Sequence, residues 1–235
     1  MDTNYKNYHR DKDYKKFEST FRNIFGRRLK LISRFIKKSG KVLDIGCSTG
    51  AFLDLFKETG WLTWGVEPSA SAAMAGKKGH HVLRSTFEKT KLPDSNFDLV
   101  ILNHTLEHMD NPELILKKVY KKLKKEGIFF VDVPNAGGLG AKLLGKYWPY
   151  RLPDEHKWQF TKKSLSKIFE KSGFEILHWE SRSGIFEYAN PALELWNSLS
   201  TLKKRFFFNV ITLPYAAFVT ILNMGDSISF IAKKV

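Results

Sequence analysis

Asp44 and Glu67 are two acidic residues whose surroundings suggest a binding site for a small molecule. Between them lies the segment 46–50 (GCSTG), whose glycines let a ligand approach the backbone and the first amides of a following helix. A carboxylate at Asp44 suits a positively charged ligand better than a phosphate. Glu67 follows Gly46 by about 20 residues, the spacing at which a carboxylate binds the two hydroxyl groups of a ribose. The pattern predicts a ligand that combines a positive charge with a ribose.

Two alternative interpretations apply to segment 46–50. A dinucleotide site requires G-x-G-x-x-G, in which the second glycine lets the backbone contact a pyrophosphate. Here Ser48 and Ala51 take the second and third glycine positions, which argues against NAD or FAD. In the other interpretation, the glycines only form turns in an α/β domain that binds no nucleotide.

The chain after Gly40 alternates short apolar runs with helical stretches, a rhythm typical of a doubly wound α/β fold. The predicted strands are Val42–Ile45, Leu62–Val66, Val82–Leu83, Phe97–Leu102, Ile128–Val133, Phe174–Trp179 and Ser227–Lys233. Asn111 and Thr161 are predicted to cap helices that end at Gly127 and Gly173. The result is a Rossmann-like, mostly parallel seven-stranded sheet whose antiparallel final strand pairs with the preceding one and follows a helical insertion at about 184–225.

Length and composition predict one domain at 41–235 after a basic, amphipathic helical segment at 1–40 whose basic face meets water. The 235 residues carry a net charge of +15 and one cysteine, which excludes a tandem enzyme, an internal disulfide and a multi-cysteine zinc site. Residues 1–16 lack the pattern of a secretory signal, and polar residues interrupt the apolar stretch Phe206–Met224, so no membrane span is predicted. These features favour a cytoplasmic protein.

Three sequence segments, VLDIGCSTG, GVEPS and FDLVILNHTLEHM, resemble the motifs of class I S-adenosylmethionine-dependent methyltransferases. More narrowly, KLPDSNFDLVILNHTLEHMDNPELIL, VDVPN and DEHKWQFTKKSLSKIFEKSGFE are similar to ubiquinone-pathway O-methyltransferases and to methyltransferases of sugar and polysaccharide pathways. The resemblance covers about 41–180 and resumes at 225–233. It is specific for the cofactor and unspecific for the substrate.

The resemblance implies S-adenosylmethionine as cofactor and assigns contacts to it. Asp44 would face the amino group of the methionine moiety, Glu67 the ribose hydroxyls, and the backbone of Asn103 the sulfonium. Two departures stand out: Ser48 replaces a common glycine, and Thr86 replaces an acid that contacts adenine in many members. The complete set of residues expected at the cofactor is Asp44, Gly46, Cys47, Ser48, Gly50, Glu67, Pro68, Thr86, Phe87 and Asn103.

Histidines are the candidate catalytic bases, because a hydroxyl nucleophile must lose its proton and histidine is the usual base near neutral pH. His156 follows a glycine- and aromatic-rich loop at 137–155 that could close over a substrate, and it is the first candidate for a base that contacts the substrate. His104 is the second candidate. The alternative for His156 is a structural cap on the loop.

His104, Glu107 and His108 form the pattern H-x-x-E-H. This pattern matches the inverted form of the zinc-protease signature H-E-x-x-H. Its position at the end of a predicted sheet strand argues against a protease. Ubiquinone-type relatives hold Mg²⁺ with acids and a histidine here, but His104 stands where they have the first acid. We therefore predict no metal, with Glu107 and His108 bracing the loop.

The expected function is O-methylation of a small-molecule, saccharide or lipid-linked acceptor. An RNA methyltransferase is the alternative, since a charge of +15 attracts phosphates, but the positive charge is spread over surface helices and no base-methylating tetrad follows the fourth strand. A cofactor-binding protein without catalysis is a third possibility. Segment 203–224 combines a basic cluster with apolar residues, which suggests either a lid or peripheral contact with the inner face of a membrane.

Overall fold

The computed structural model describes residues 17–201 and 203–235. They form an α/β domain in which a single sheet has helices on both faces. Its helices are α1 (Glu18–Ile32), α2 (Ala51–Glu58), α3 (Ala72–Lys77), α4 (Pro112–Lys122), α5 (Leu139–Leu144), α6 (Lys162–Lys171), α7 (Pro191–Thr201) and α8 (Lys203–Ile221). Its strands are β1 (Lys41–Ile45), β2 (Leu62–Val66), β3 (His81–Leu83), β4 (Phe97–Asn103), β5 (Leu123–Pro134), β6 (Phe174–Arg182) and β7 (Ser227–Lys234). Short 3-10 helices lie at Leu106–His108, Gly145–Tyr147 and Gly184–Glu187.

The seven strands follow the order β3-β2-β1-β4-β5-β7-β6. The first five in this order are parallel, and β7 lies antiparallel between β5 and β6. This arrangement confirms the predicted mostly parallel sheet and the predicted pairing of the last strand with β6. It also brings the carboxyl ends of β1, β2, β4 and β5 to one edge, where ligands of doubly wound sheets bind.

Apolar packing on both faces of the sheet holds these strand ends in place. On one face, Phe129, Phe169 and Phe230 pack together with ring centroids 5.3 and 5.4 Å apart. On the other face, Phe25 of α1 stacks on Phe52 of α2 with centroids 4.9 Å apart. Because α1 shares a hydrophobic core with the sheet, it packs as part of the same folded unit.

Two helix ends differ from the predictions. The helix in 1–40 ends at Ile32, eight residues before Gly40, and residues 1–16 of that segment lie outside the described residues. The helix that begins at Pro112 ends at Lys122 because Leu123 pairs with Phe97 in the sheet. Gly127 instead lies within β5, at an irregularity of the strand pairing, where an added Cβ would lie 2.8 Å from the carbonyl oxygen of Lys124. The helix capped by Thr161 agrees with its prediction and ends just before Gly173.

The expected insertion consists of α7 and α8. One side of α8 packs on the core through Ala216 and Val219, which are 1% and 0% exposed. Its other side leaves apolar side chains in solvent, including Phe208 and Ile211, which are 65% and 75% exposed. Among the residues that the structure describes, no helix has both the length and the hydropathy needed to cross a bilayer. The division of the chain at residue 40 stays a prediction.

Candidate active site

The turn between β1 and α2 exposes backbone without bulky side chains at the carboxyl end of β1. Gly46 and Gly50 have φ angles of +80° and +76°, which favour glycine. A Cβ at Gly46 would lie 2.5 Å from Oγ1 of Thr105, so no side chain fits there. Ser48 adopts a φ of 47°, a conformation that costs a residue with a side chain about 1–2 kcal/mol. This strain sits where the resemblance places a glycine.

Glu67, directly after β2, fixes the turn from the opposite side. Its Oε2 accepts a hydrogen bond of 2.9 Å from the backbone N–H of Ser48, and its Oε1 accepts one of 2.8 Å from that of Ser69. Glu67 is 7% exposed, so these bonds hold its carboxylate in one orientation. Each oxygen keeps a second lone pair, which is what the two hydroxyl groups of a ribose require.

Asp44 is a buried carboxylate that lacks a hydrogen-bond partner for one of its oxygens. It is 3% exposed, and its Oδ1 receives no hydrogen bond from any described residue. Burial, together with the nearby charge of Glu67, raises the pKa of Asp44 to about 8. The carboxylate lines a pocket with Phe25 of α1 and Asn103 of β4. A positively charged group in this pocket would compensate the buried charge of Asp44.

A second polar cluster lies beside the pocket, where β4 ends. His104 has a φ of 50° and a partly exposed side chain, and its Nε2 lies 3.1 Å from Oδ1 of Asp132 in β5. Its Nδ1 lies 3.6 Å from Oε1 of Glu107. Burial alone would lower the pKa of His104, but the hydrogen bond to Asp132 and the charge of Glu107 raise it to about 9. His104 is therefore a strong base whose protonated form is stabilised by carboxylates.

Arg28 of α1 completes this cluster. Its guanidinium donates a 2.9 Å hydrogen bond to Oδ1 of Asp132 and lies 3.5 Å from Glu187. It also lies 3.3 Å from Nε2 of His104. Although burial disfavours a charged Asp132, the charges of Arg28 and His104 hold its pKa well below its usual range. This location corrects the prediction that the basic face of the helix in 1–40 meets water, because Arg28 is 4% exposed.

His156, the first candidate base, lies deeper in the protein than His104. It is 6% exposed, and its Nδ1 lies 2.9 Å from the carbonyl oxygen of Tyr150. Its Nε2 lies 4.0 Å from Oε1 of Glu107, and its ring packs edge-on against His108 with centroids 4.8 Å apart. His156 is thus joined to the segment after β4 and does not line the pocket of Asp44.

Comparison with known proteins identifies the family. A family model for a methyltransferase domain matches residues 17–179, more than half of the chain. The chain belongs to this methyltransferase family. It is 29% identical over 133 residues to a ubiquinone biosynthesis O-methyltransferase of Photobacterium profundum, covering 50% of this chain and 57% of that protein. It is also 28% identical over 142 residues to the C-methyltransferase NovU of Streptomyces niveus, covering 58% of this chain and 33% of that protein.

Solved structures show the same fold. A SAM-dependent methyltransferase from Thermotoga maritima, described as a possible histamine N-methyltransferase, superposes with a TM-score of 0.63 and 22% identity over 95% of both chains. A SAM-dependent methyltransferase from Archaeoglobus fulgidus gives a TM-score of 0.64 and 24% identity over 94% of this chain and 99% of that one. These findings confirm the predicted class of S-adenosylmethionine-dependent methyltransferase. The chain spans about half the length of the curated relatives it matches, so its acceptor and partners are matters for proposal.

The residues expected at S-adenosylmethionine fall into three groups. Asp44, Gly46, Cys47 and Asn103 line the pocket. Ser48 and Gly50 belong to its turn, Glu67 braces that turn, and Pro68 follows Glu67 in the chain. Thr86 and Phe87 follow β3, but the ring of Phe87 is 2% exposed and packs in the core, under the ammonium of Lys118. Only the backbone of Phe87 is therefore available to an adenine, and these contacts stay predictions.

The sequence did not predict the roles of three residues. Arg28 and Asp132 are separated by 104 residues, and neither belongs to a motif that could have linked them. Lys118 lies on α4. Its ammonium donates hydrogen bonds to the carbonyl oxygens of residues 87, 88 and 90, which fixes the loop after β3.

Proposed function

We propose that this methyltransferase transfers the methyl group of S-adenosylmethionine to an acidic hydroxyl group of a small-molecule, saccharide or lipid-linked acceptor. The observation that carries this proposal is the position of His104, beside the pocket of Asp44 and held by Asp132 and Glu107. The similarity to ubiquinone biosynthesis O-methyltransferases supports oxygen as the acceptor atom.

In the proposed reaction, the acceptor oxygen forms a bond to the methyl carbon while the bond from that carbon to the sulfonium sulfur breaks. The sulfur leaves as a neutral thioether, so the reaction needs alignment of the three atoms more than it needs an acid. The hydroxyl proton passes to the neutral form of His104, whose population grows as the pH rises toward about 9, and the resulting imidazolium is stabilised by Asp132. A base whose pKa is about 9 matches a phenol-type hydroxyl, whose pKa is about 10.

His104 suits the role of base better than His156 does. Its side chain is 27% exposed beside the pocket, whereas that of His156 is 3% exposed behind Glu107. A catalytic base has to come within hydrogen-bond distance of the proton it removes, which requires access to the acceptor. We therefore assign the base to His104 and a different role to His156.

The exposed apolar surface of α7 and α8 favours an amphiphilic acceptor. Trp196 of α7 is 69% exposed, and Phe207 and Ile221 of α8 are 61% and 79% exposed. Several exposed apolar side chains on one helical insertion are a feature of contact sites for proteins or membranes. The sequence adds basic residues at 203–205, which attract anionic lipid headgroups. We propose that this surface, segment 203–224 with α7, contacts a lipid surface peripherally, while Ala216 and Val219 anchor it to the core.

The test combines the purified chain, methyl-labelled S-adenosylmethionine and fractionated cell extract. Label should enter a nuclease-resistant, small or lipid-extractable product whose methyl group is bound to oxygen. His104→Asn should lower labelling at least 100-fold while S-adenosylhomocysteine still binds within about threefold of the parent affinity. Label in nuclease-sensitive material would instead support the RNA methyltransferase, and a C-methyl product would overturn the assignment of oxygen. Liposome flotation, with Phe206, Phe207 and Phe208 changed to Ser as control, tests the lipid contact separately.

A further inference from the structure

Lys118 of α4 contacts the backbone of the loop that follows β3. Its Nζ lies 2.5 Å from the carbonyl oxygen of Phe87, 2.9 Å from that of Glu88 and 2.9 Å from that of Thr90. We propose that Lys118 is a positioning residue for the cofactor, which orients this loop so that its N–H groups donate to a ring nitrogen of the adenine of S-adenosylmethionine. The inference rests on the cofactor and is independent of the acceptor proposed above.

The ammonium of Lys118 is bound by main-chain oxygens. An ammonium group has three N–H donors, and the three carbonyl oxygens can use all of them. The same ammonium lies 4.8 Å from the ring centroid of Phe87, within the range of a cation–π contact. That ring is buried in the core. Because both the side chain and the carbonyl group of Phe87 are held, the peptide plane between Phe87 and Glu88 has little freedom to rotate.

The preceding carbonyl group, that of Thr86, is bound from within the loop. Its oxygen accepts hydrogen bonds from Oγ1 of Thr90 at 2.7 Å, from Oγ of Ser85 at 3.2 Å and from the backbone N–H of Lys89 at 3.2 Å. The carbonyl groups of residues 86, 87 and 88 therefore all accept hydrogen bonds from the protein itself. The loop is held in one backbone conformation by its own hydroxyl groups on one side and by Lys118 on the other.

The backbone N–H groups of Phe87 and Glu88 remain as donors. In a planar trans peptide, the N–H of one residue points away from the C=O of the residue before it. The N–H of Glu88 therefore points away from Lys118, and the N–H of Phe87 points away from the hydroxyl of Thr90. Within the part of the chain that the structure describes, neither N–H donates a backbone hydrogen bond. Both are available to a ligand.

These two donors follow a strand end that is joined to the residue expected to bind the ribose. The backbone N–H of Glu67 donates to the carbonyl oxygen of Leu83 at 3.1 Å, so the loop leaves β3 next to the carboxylate at the end of β2. The base of a nucleoside is attached directly to its ribose. When Glu67 binds the ribose hydroxyls, the base must therefore lie close to this loop.

The loop presents donors to the base, which favours recognition of adenine through N1. N1 carries a lone pair and accepts a hydrogen bond, whereas the 6-amino group donates and needs an acceptor. Thr86 has no charge with which to hold that amino group. A carbonyl group turned toward the base would repel N1, and Lys118 prevents this by binding the carbonyl groups of Phe87 and Glu88. Removal of Lys118 should therefore release these peptide planes and abolish the selection for N1.

The test is calorimetric titration of the full-length chain with S-adenosylhomocysteine and with its 1-deaza analogue, in which a C–H group replaces N1. The parent should bind the analogue about fivefold more weakly or worse, the loss expected for one hydrogen bond. Lys118→Met, which keeps the apolar part of the side chain, should weaken binding of S-adenosylhomocysteine by about fivefold and reduce the preference for it to less than about twofold. Lys117→Met is the matched control, because Lys117 lies on the same helix in an exposed pair with Glu113 and should change neither value.

Equal affinity of the parent for the two ligands would overturn the proposal, because the loop would then not donate to N1. A Lys118→Met variant that binds both ligands more weakly by the same factor would also overturn it, since Lys118 would then only support the fold. Circular dichroism shows whether Lys118→Met folds. If it does not, Lys118→Arg carries the test: it keeps the charge, but its planar guanidinium cannot donate to all three carbonyls from one nitrogen, so the preference should fall here too. The readout is binding without an acceptor, so it does not depend on which acceptor is methylated.

Discussion

Replacing Asp44 with asparagine should stabilise the protein at alkaline pH and lower its affinity for the cofactor. The pKa of Asp44 rises from 3.8 to about 8 on folding because the carboxyl group is buried near Glu67. Between pH 4 and 8, the folded protein therefore holds a proton that the unfolded chain releases. The free energy of unfolding falls as pH rises through this range, since the unfolded state binds fewer protons. Asparagine has no such titration.

The magnitude follows from the two pKa values. At about 1.4 kcal/mol for each factor of ten in proton affinity, the change from 3.8 to about 8 corresponds to an upper limit of about 6 kcal/mol above pH 8. Even a third of that value, about 2 kcal/mol, raises the thermal midpoint of a domain of this size by about 4–8 °C. Asp44→Asn should therefore melt at least 4 °C above the parent at pH 8.5 and show a smaller difference at pH 5.

The assay is thermal unfolding of the cofactor-free proteins at both pH values, followed by calorimetric titration with S-adenosylhomocysteine. Asp54→Asn is the matched control. Although burial of Asp54 acts in the opposite direction, hydrogen bonds to His80 and Lys78 lower the pKa of this residue, so its replacement should destabilise the protein. If the stability difference of Asp44→Asn did not grow between pH 5 and 8.5, or if the variant kept full cofactor affinity, the assignment of Asp44 would be refuted.

Three further perturbations probe the site. Gly50→Ala should lower stability by about 2–4 kcal/mol in thermal unfolding, since its Cβ would lie 2.7 Å from His80 at a positive φ, whereas Gly76→Ala, with no atom within 4 Å, should not. Arg28→Met should cost about 3–5 kcal/mol, because it removes one of the two cations that pair with the buried Asp132 and leaves only His104. Arg22→Met, in an exposed pair, should cost less than about 1 kcal/mol. An NMR titration of His104 should have its midpoint near 9, and Asp132→Asn should move it below 8; an unchanged midpoint would show that Asp132 does not set it.

The sequence predicted most of the sheet because its strands are short, apolar and bounded by turn residues. The run Ile128–Val133 is buried on both faces, so its pattern is continuous and easy to recognise. The turn at Gly46 was equally visible, since only glycine fits there. Local patterns of this kind report on burial and backbone conformation, which neighbouring residues largely determine.

The electrostatics of the site could not be predicted in the same way. Arg28 lies among basic residues on a helix, where its spacing indicates a solvent-exposed position, yet its partners Asp132 and Glu187 lie far along the chain. The relation between His156 and Glu107 likewise appears only when the loop before α6 packs against the segment after β4. Such contacts depend on tertiary packing, for which a single sequence offers no periodic signal.

Helix α1 contributes to both the pocket of Asp44 and the polar cluster around His104. Phe25 covers the pocket of Asp44, and Arg28, one turn further along the same helix, pairs with the carboxylate that supports His104. Undocking of this helix to release spent S-adenosylhomocysteine would also remove a cation from beside the base. Release of product and the proton affinity of the proposed base His104 would then be coupled through this one helix.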